Sequence, residues 1–109
     1  MDAQLKKGIL ELCLLQTISG EPQYGYDVIQ RMRQHFPEVT ESTFYAILRR
    51  LNKEGAADTF QGSVSNGPVR KYYRLTELGR EQLEQLTEDW RRLQGIMAAL
   101  GIAPQEGMP

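Results

Sequence analysis

The last third of the chain constrains its fold more than any other segment. This segment has the heptad spacing typical of helices that pack side by side. A helix begun at Thr76, a favourable N-cap, and stopped by Gly101 would be about 36 Å long, which a domain of this size cannot cover alone. The pattern therefore favours packing on a second copy of the chain, and packing wholly on its own first helix is the alternative. We call these residues the heptad seam: Leu83, Leu86, Trp90, Leu93, Met97 and Leu100.

Length and composition agree with one small domain that carries an added element. The 109 residues are 40% hydrophobic and 25% charged, which leaves little apolar surface for a single core. The most apolar stretch, Ile9 to Ile18, contains Glu11 and Gln16 and is too short to span a membrane. A small-residue cleavage site does not follow it, so a signal peptide is not predicted. We therefore expect a cytoplasmic protein without membrane contact.

Cysteine and histidine are too scarce for most enzyme or metal chemistry. Cys13 is the single cysteine and cannot form an intramolecular disulfide, and His35 is the single histidine. We interpret Cys13 as a small buried residue and His35 as a polar group at a helix end. Gly62 and Gly67 precede no helix, so they do not form a phosphate-binding loop. The sequence predicts no catalytic residue, no metal and no cofactor.

Two helices are predicted in the first forty residues. Leu5 to Ile18 has a broad apolar stripe, which suggests burial against two neighbours. Residues 19–23 contain glycine and proline and mark a turn. The second helix should run from Tyr24 or Gly25 to about Phe36, because a proline follows. Its core-facing side is expected to contain Tyr26, Ile29, Met32, Arg33 and Phe36.

A third helix, capped by Thr40 or Ser42 and ended at Gly55, has two chemically different sides. Residues 41–75 hold six basic and three acidic side chains, a charge of +3 within a chain of −1. A solvated surface helix would look similar by itself, but the charge of the whole segment favours an anionic partner. The apolar side contains Phe44, Ile47, Leu48 and Leu51. The opposite side, here called the basic side, contains Ser42, Ala46, Arg49 and Lys53, flanked by Tyr45 and Arg50.

Strand character follows the basic helix. Ala56 to Phe60 and Val69 to Leu75 favour extended structure, with a glycine- and proline-containing tip at Gln61 to Pro68. Arg70 and Lys71 lie at the base of this hairpin. Three helices followed by a two-stranded hairpin is the order of a winged helix-turn-helix, whose third helix can enter a DNA major groove about 12 Å wide.

The predicted fold is therefore mainly α with a small β-hairpin. It consists of a winged helix-turn-helix DNA-binding domain at 1–75 and a long C-terminal dimerisation helix at 76–100. The remaining residues, 101–109, hold glycine, proline and one charge and are expected to form a flexible tail.

Local strings in the second helix, the third helix and the hairpin resemble the PadR family of bacterial transcriptional regulators. The strongest, Gly-Pro-Val-Arg-Lys-Tyr-Tyr-Arg-Leu-Thr at residues 67–76, is similar to the wing and strand of that family. The weaker ones are Tyr-Gly-Tyr at 24–26, Ser-Thr-Phe-Tyr at 42–45 and Leu-Arg-Arg-Leu at 48–51. The resemblance covers about residues 8–97 and places the chain with the small members, which have a single C-terminal helix.

The resemblance implies a homodimeric repressor that binds a palindromic operator and is released by a small aromatic or drug-like effector. It also implies that the C-terminal helices cross and hold the first helix of the partner. Trp90, the single tryptophan, either packs in the interface or flanks, with its copy, a slot for a planar aromatic effector. The predicted dimer contacts are Leu5, Ile9, Leu83, Leu86, Trp90, Leu93 and Met97.

Within the DNA-binding interpretation, the candidate side chains differ in what they reach. Tyr45 and Arg49 are expected to contact base edges or the groove. Arginine can pair with guanine through two hydrogen bonds, and tyrosine can donate to phosphate or pack on a thymine methyl. The alternative is a winged-helix protein-interaction module without DNA binding, which would show an exposed apolar patch on the third helix. Phosphate anchors are expected at Tyr24, Ser42, Thr43, Lys53 and Lys71, with Arg70 beside them on the hairpin.

Overall fold

In a computed structural model that describes residues 1–62 and 70–102, four helices pack together with a small antiparallel sheet. Helix α2 packs on both α1 and α3, and α4 packs on α1 and on strand β3. The elements are α1 (Ala3–Thr17), β1 (Gln23–Tyr24), α2 (Gly25–His35), α3 (Glu41–Lys53), β2 (Ala57–Gly62), β3 (Arg70–Leu75) and α4 (Glu77–Ala99). The predicted fold class, mainly α with a winged hairpin and a long last helix, is confirmed.

Hydroxyl caps set where α3 and α4 begin, as the sequence predicts. The Thr40 hydroxyl accepts the backbone N–H of Thr43 at 3.2 Å, and the Thr76 hydroxyl accepts that of Gly79 at 3.0 Å. Gly55 follows α3 in the left-handed conformation (φ 84°), which glycine adopts without steric cost. The Thr76 hydroxyl also donates to the Gly55 carbonyl oxygen at 2.6 Å, so the end of α3 is tied to the start of α4.

The hydrophobic core lies between the first three helices and the base of the sheet. Phe44, Leu48 and Leu51 of α3 are fully buried, and Ile47 beside them is half-buried, so the predicted apolar side of α3 is confirmed. The other helices contribute Leu10, Leu14, Leu15, Val28, Ile29, Met32 and Leu83 to the same core, and Ile18 joins them directly after α1.

The core-facing side of α2 differs from the predicted one at Tyr26. That residue is 49% exposed, whereas Val28 is fully buried. Gly25, at the start of α2, lies so close to the sheet that a Cβ there would come within 2.9 Å of the Tyr73 ring. Because Gly25 faces the sheet, Tyr26 lies about 100° further round the helix and points to solvent. The prediction for Tyr26 is wrong, and that for Ile29 is confirmed.

The sheet has a third strand that the sequence does not predict. A turn is expected over residues 19–23, yet Gln23 and Tyr24 form β1 and pair antiparallel with β3. The strand order is β1-β3-β2, so β3 is the central strand. Tyr24 lies opposite Tyr72 of β3, and Tyr72 lies opposite Phe60 of β2. The short β1 therefore joins the start of α2 to the hairpin.

Parts of the predicted hairpin tip and tail fall outside the described residues. Strand β2 runs two residues further than expected, to Gly62, which pairs with Arg70. The rest of the predicted tip, with Val69, lies in the undescribed segment 63–69. Most of the predicted tail lies in the undescribed segment 103–109.

Helix α4 packs on the rest of the chain mainly near its start. Leu83 is 7% exposed, whereas Trp90 is 37% and Leu100 is 69% exposed. The described part of the molecule is 54 Å long and 27 Å across its shortest axis. The C-terminal half of α4 therefore presents an apolar side that nothing in residues 1–62 and 70–102 covers. None of the helices described has both the length and the apolarity needed to cross a membrane.

Candidate nucleic-acid interface

The basic side of α3 is exposed, as its sequence pattern predicts. Ser42, Arg49 and Lys53 are exposed, while Phe44 and Leu48 on the other side are fully buried. Within the described part of the chain, neither Arg49 nor Lys53 forms an ion pair. Both cations are therefore available to an anionic partner.

Arg50 lies on the same helix but is already engaged. Its guanidinium donates to Glu11 of α1 at 2.6 Å and to Glu54 at 2.9 Å. These hydrogen bonds, chiefly the one to Glu11, raise the pKa of Arg50 above its ordinary value. Arg50 therefore links α3 to α1. The four-residue spacing from Arg50 to Glu54 is visible in the sequence, but the pairing with Glu11, 39 positions away, is not.

Exposed hydroxyl groups surround the first turn of α3. Thr40 Oγ1 lies 3.1 Å from Ser42 Oγ and 2.9 Å from Thr43 Oγ1. The carboxylate of Glu41, in the same turn, accepts a hydrogen bond from the Gln30 amide of α2 at 2.9 Å. Hydroxyls beside the free backbone N–H groups of a helix start are suited to binding phosphate. Ser42 and Thr43 thus lie where phosphate anchors are expected.

Tyr45 lies beside the basic side of α3 and is half-buried. Burial raises the pKa of its phenol, and the nearby Glu41 carboxylate raises it further. The phenol therefore stays protonated at physiological pH and keeps its capacity to donate a hydrogen bond. A partly exposed ring with a neutral O–H suits contact with a base or a phosphate.

Strand β3 sends its two predicted basic contacts to opposite faces of the sheet, because neighbouring residues of a strand alternate. The Arg70 guanidinium lies over the Tyr24 ring, with Cζ 4.8 Å from the ring centroid. Lys71 lies on the other face, with Nζ 5.7 Å from the centroid of the buried Tyr73. Sequence reasoning places Arg70 and Lys71 together at the hairpin base, whereas the structure gives each a different aromatic neighbour.

Three aromatic residues, Tyr26, Tyr72 and Phe60, are absent from the predicted site. The Tyr24 ring centroid lies 6.0 Å from that of Tyr26 and 5.9 Å from that of Tyr72. The Phe60 and Tyr72 rings are stacked at 5.6 Å. The alternation of Tyr72 with Arg70 and Arg74 is a sequence signal for a shared strand face. No sequence signal places Tyr24 beside that face, because its contact with Tyr72 depends on the pairing of β1 with β3.

A second exposed surface, formed by α1 and α4, is apolar. A groove of about 430 Å³ runs between the two helices; we call it the apolar groove. Leu83 is not part of it and belongs to the core of its own chain, because α4 begins against that core. Packing of the whole heptad seam on α1 of the same chain is not observed, since Leu93 remains 41% exposed. The apolar groove is lined by six of the seven predicted dimer contacts, namely Leu5, Ile9, Leu86, Trp90, Leu93 and Met97.

Trp90 separates the apolar groove from a second one of about 540 Å³ between α1, α2 and α4. Cys13, His35 and Phe36 line this second groove, and Trp90 lines both. Burial raises the pKa of the Cys13 thiol, which favours its neutral form. His35 is the last residue of α2, as expected for a polar group at a helix end. In the described ranges, no cluster of three or more histidine, cysteine or acidic side chains could hold a metal ion.

Comparisons with known proteins agree with this architecture. The model of the Transcriptional regulator PadR-like family matches residues 14–85. A PadR-like transcriptional regulator from Bacillus cereus is 36% identical with a TM-score of 0.82, over 94% of this chain and 100% of that chain. A transcriptional regulator from Streptococcus is 29% identical with a TM-score of 0.81, over 92% and 99% of the two chains.

A relative found by sequence supports the same assignment. The transcriptional regulator Rv3488 of Mycobacterium tuberculosis is 29% identical over 93 residues, which cover 85% of this chain and 83% of the relative. These relatives are described as regulators of transcription. With its winged fold and the family match over residues 14–85, the chain belongs to the PadR-like family of DNA-binding transcriptional regulators.

Proposed function

We propose that this regulator is a homodimeric, sequence-specific repressor that acts in the cytoplasm on a palindromic operator. The observation that carries the proposal is the basic side of α3, where Arg49 and Lys53 are exposed and lack ion pairs in the described residues. In a winged helix-turn-helix, the third helix enters the major groove while the wing reaches the DNA backbone. A dimer bound to two half-sites of a promoter would block transcription from it.

The proposed contacts with DNA follow from the position of each side chain. Tyr45 and Arg49 reach base edges from the middle of α3. The remaining contacts bind phosphate oxygens and fix the register of the protein on the duplex. They are Tyr24 from β1, Ser42, Thr43 and Lys53 from α3, and Arg70 and Lys71 from β3.

The proposed dimer covers the apolar groove. In it, α4 of one copy would pack against α1 and α4 of the other and bury Leu5, Trp90 and Leu93. The two recognition helices of such a dimer must lie about one DNA turn apart, roughly 34 Å, to reach successive major grooves. Exposed apolar residues occur along α4 beyond Leu86, and this continuity supports a long helix-to-helix contact.

A protein-interaction module without DNA binding is less well supported. Such a module would present apolar residues on α3, whereas the exposed positions there are polar or charged apart from Ala46. Most of the large exposed apolar residues lie instead on α1 and α4, and the proposed dimer would cover those that line the apolar groove.

We further propose that a planar aromatic effector binds beside Trp90 and releases the operator. In the single chain the Trp90 residue is 37% exposed and borders two grooves. In the proposed dimer it would lie near its copy, and a flat ligand could stack in a slot between the two rings. Binding between the two long helices would change their tilt and thereby the spacing of the recognition helices. The alternative is that Trp90 serves only as packing in the interface.

Selection of DNA by the wild-type chain tests the proposed function. A pool of random-sequence duplexes is incubated with the protein, and bound duplexes are recovered, amplified and sequenced over several rounds. We expect enrichment of an inverted repeat whose half-sites lie about one helical turn apart. Enrichment of no sequence would contradict specific binding, and enrichment of a single half-site would contradict the dimer.

A further inference from the structure

One face of the sheet carries an aromatic row that crosses all three strands. Tyr24 of β1, Tyr72 of β3 and Phe60 of β2 are register partners, so their side chains lie side by side. The ring centroids are 5.9 Å apart for the first pair and 5.6 Å for the second. Because Tyr72 has an aromatic neighbour on each side, its ring bridges the start of α2 and the outer strand of the wing.

An arginine lies over each end of this aromatic row. Arg70 Cζ is 4.8 Å from the Tyr24 centroid, and Arg74 Cζ is 5.0 Å from the Phe60 centroid. Both arginines share a strand face with Tyr72, two residues before it and two after it. Neither forms an ion pair in the described residues. A guanidinium held over a ring loses part of its freedom but keeps N–H donors for a phosphate.

The close approach of Tyr72 to Gly62 shows that the ring position is sterically defined. A Cβ at Gly62 would lie 2.3 Å from Cε1 of Tyr72, a distance that real side chains do not show. The Tyr72 ring thus lies directly over a strand position with no side chain. Any larger residue at position 62 would displace the ring from the aromatic row.

We propose that Tyr72 is a positioning residue for DNA binding, which fixes the wing against α2 and holds Arg70 and Arg74 in place for phosphate contacts. The inference rests on the proposed function, since it concerns how the wing meets DNA. A β-hairpin alone is marginally ordered, and β1 supplies only two residues of further pairing. The aromatic row adds side-chain contacts to that pairing. Tyr72 itself is half-buried and has an aromatic ring on each side, which favours a positioning role over direct contact with a base.

The salt dependence of DNA binding tests this role, because it counts phosphate contacts. The probe is the duplex that the wild-type chain selects from a random pool, so failure of the selection itself would count against the proposed function alone. The logarithm of the binding constant falls with the logarithm of salt by about 0.9 per phosphate contact. We expect Tyr72→Ala to reduce this slope by at least about 0.9 per protomer, although tyrosine carries no charge. Tyr72→Phe, which keeps the ring, should keep the wild-type slope.

A second substitution moves the ring without removing it. Gly62→Ala places a methyl group against Tyr72 and should reduce the slope as Tyr72→Ala does. Gly20→Ala is the matched control, because a Cβ at Gly20 meets nothing within 4 Å. Thermal melts of each variant show whether the chain remains folded, and this second variant keeps the inference testable where Tyr72→Ala unfolds.

Combining substitutions separates positioning from direct contact. If Tyr72 acts through Arg70, Arg70→Ala should reduce the slope in the wild type but much less in Tyr72→Ala. Full additivity of the two substitutions would overturn the inference. A wild-type slope in folded Tyr72→Ala or folded Gly62→Ala would also overturn it.

Discussion

The basic side of α3 and the apolar side of α4 are both exposed, but the free-energy cost of exposure to water differs between them. Arg49 and Lys53 are well hydrated, so their exposure costs little free energy and does not require a permanent partner. For the apolar residues of α4 beyond Leu86, each Å² of surface left in water costs about 25 cal/mol of free energy relative to its burial. One surface can therefore exchange its partner, whereas the other favours a partner that stays.

Salt should distinguish the two surfaces. Added salt weakens contacts between cations and phosphates because counterions released into a more concentrated salt solution gain less entropy. Salts such as sulfate strengthen the burial of apolar surface. A common partner class for both surfaces would show one salt dependence.

The largest expected effect comes from a charge placed on the heptad seam. Leu93→Glu would bury an unpaired carboxylate in the proposed dimer, at a cost on the order of several kcal/mol. We expect a monomer or an unfolded chain in light scattering at micromolar concentration. Gly95→Glu adds the same charge at a position where a Cβ has open space, and it should remain dimeric. A well-folded Leu93→Glu dimer would show that the seam does not form the interface.

Arg49→Ala is expected to have the next largest effect, and it concerns the basic side of α3. Loss of a two-pronged contact to guanine should cost about 1 to 3 kcal/mol and relax selectivity at one base pair of each half-site. Gel shifts with the selected duplex and with single-base variants of it measure both quantities. Equal loss of affinity on every duplex would assign Arg49 to phosphate instead.

Trp90→Ala concerns both surfaces. The residue lies on α4, but the effect of its substitution is measured as release of DNA. Planar cationic or phenolic compounds should weaken operator binding of the wild type by about fivefold or more, as expected for ordinary coupling between sites. The variant should bind the operator but respond much less. Release of labelled DNA is the measurement, since the tryptophan signal is lost in the variant. Equal release from both proteins would exclude Trp90 as the effector platform.

The smallest expected effect is a difference in the salt dependence of DNA binding between substitutions of two cations of α3. Lys53→Gln should reduce the salt slope by about 0.9 per protomer, whereas Arg50→Gln should leave it unchanged because Arg50 pairs with Glu11 and Glu54. Since Arg50 is half exposed, its loss should lower the free energy of unfolding by only about 0.2 to 1 kcal/mol. Binding across a salt series and urea melts provide the two measurements. A reduced slope in Arg50→Gln would show that this arginine leaves its carboxylates for DNA.

Local chemistry explains which parts of the fold could be predicted. The boundaries of α3 and α4 follow from Thr40, Gly55 and Thr76, because a cap or a left-handed residue acts within a few positions. The amphipathic pattern of α3 likewise identifies its buried side. These features need no knowledge of the rest of the chain.

The features that sequence reasoning misses all depend on distant partners. Strand β1 has two residues and no alternating pattern, and it exists because β3 offers an edge. The burial of Gly25 against Tyr73 then sets the rotation of α2 and sends Tyr26 to solvent. The pairing of Arg50 with Glu11 and the aromatic row similarly require two segments that only the fold brings together.

The partial packing of α4 has a consequence for how much of the protein a cell must make. In the proposed dimer, the free energy gained by covering the apolar groove contributes to folding only after two chains meet. The melting temperature should then rise with protein concentration, as mass action requires when association stabilises the folded state. At low expression, a larger share of the chains would be single and would leave the far half of α4 in water. Such chains would be more open to proteolysis, so the abundance of the regulator would partly govern its own lifetime.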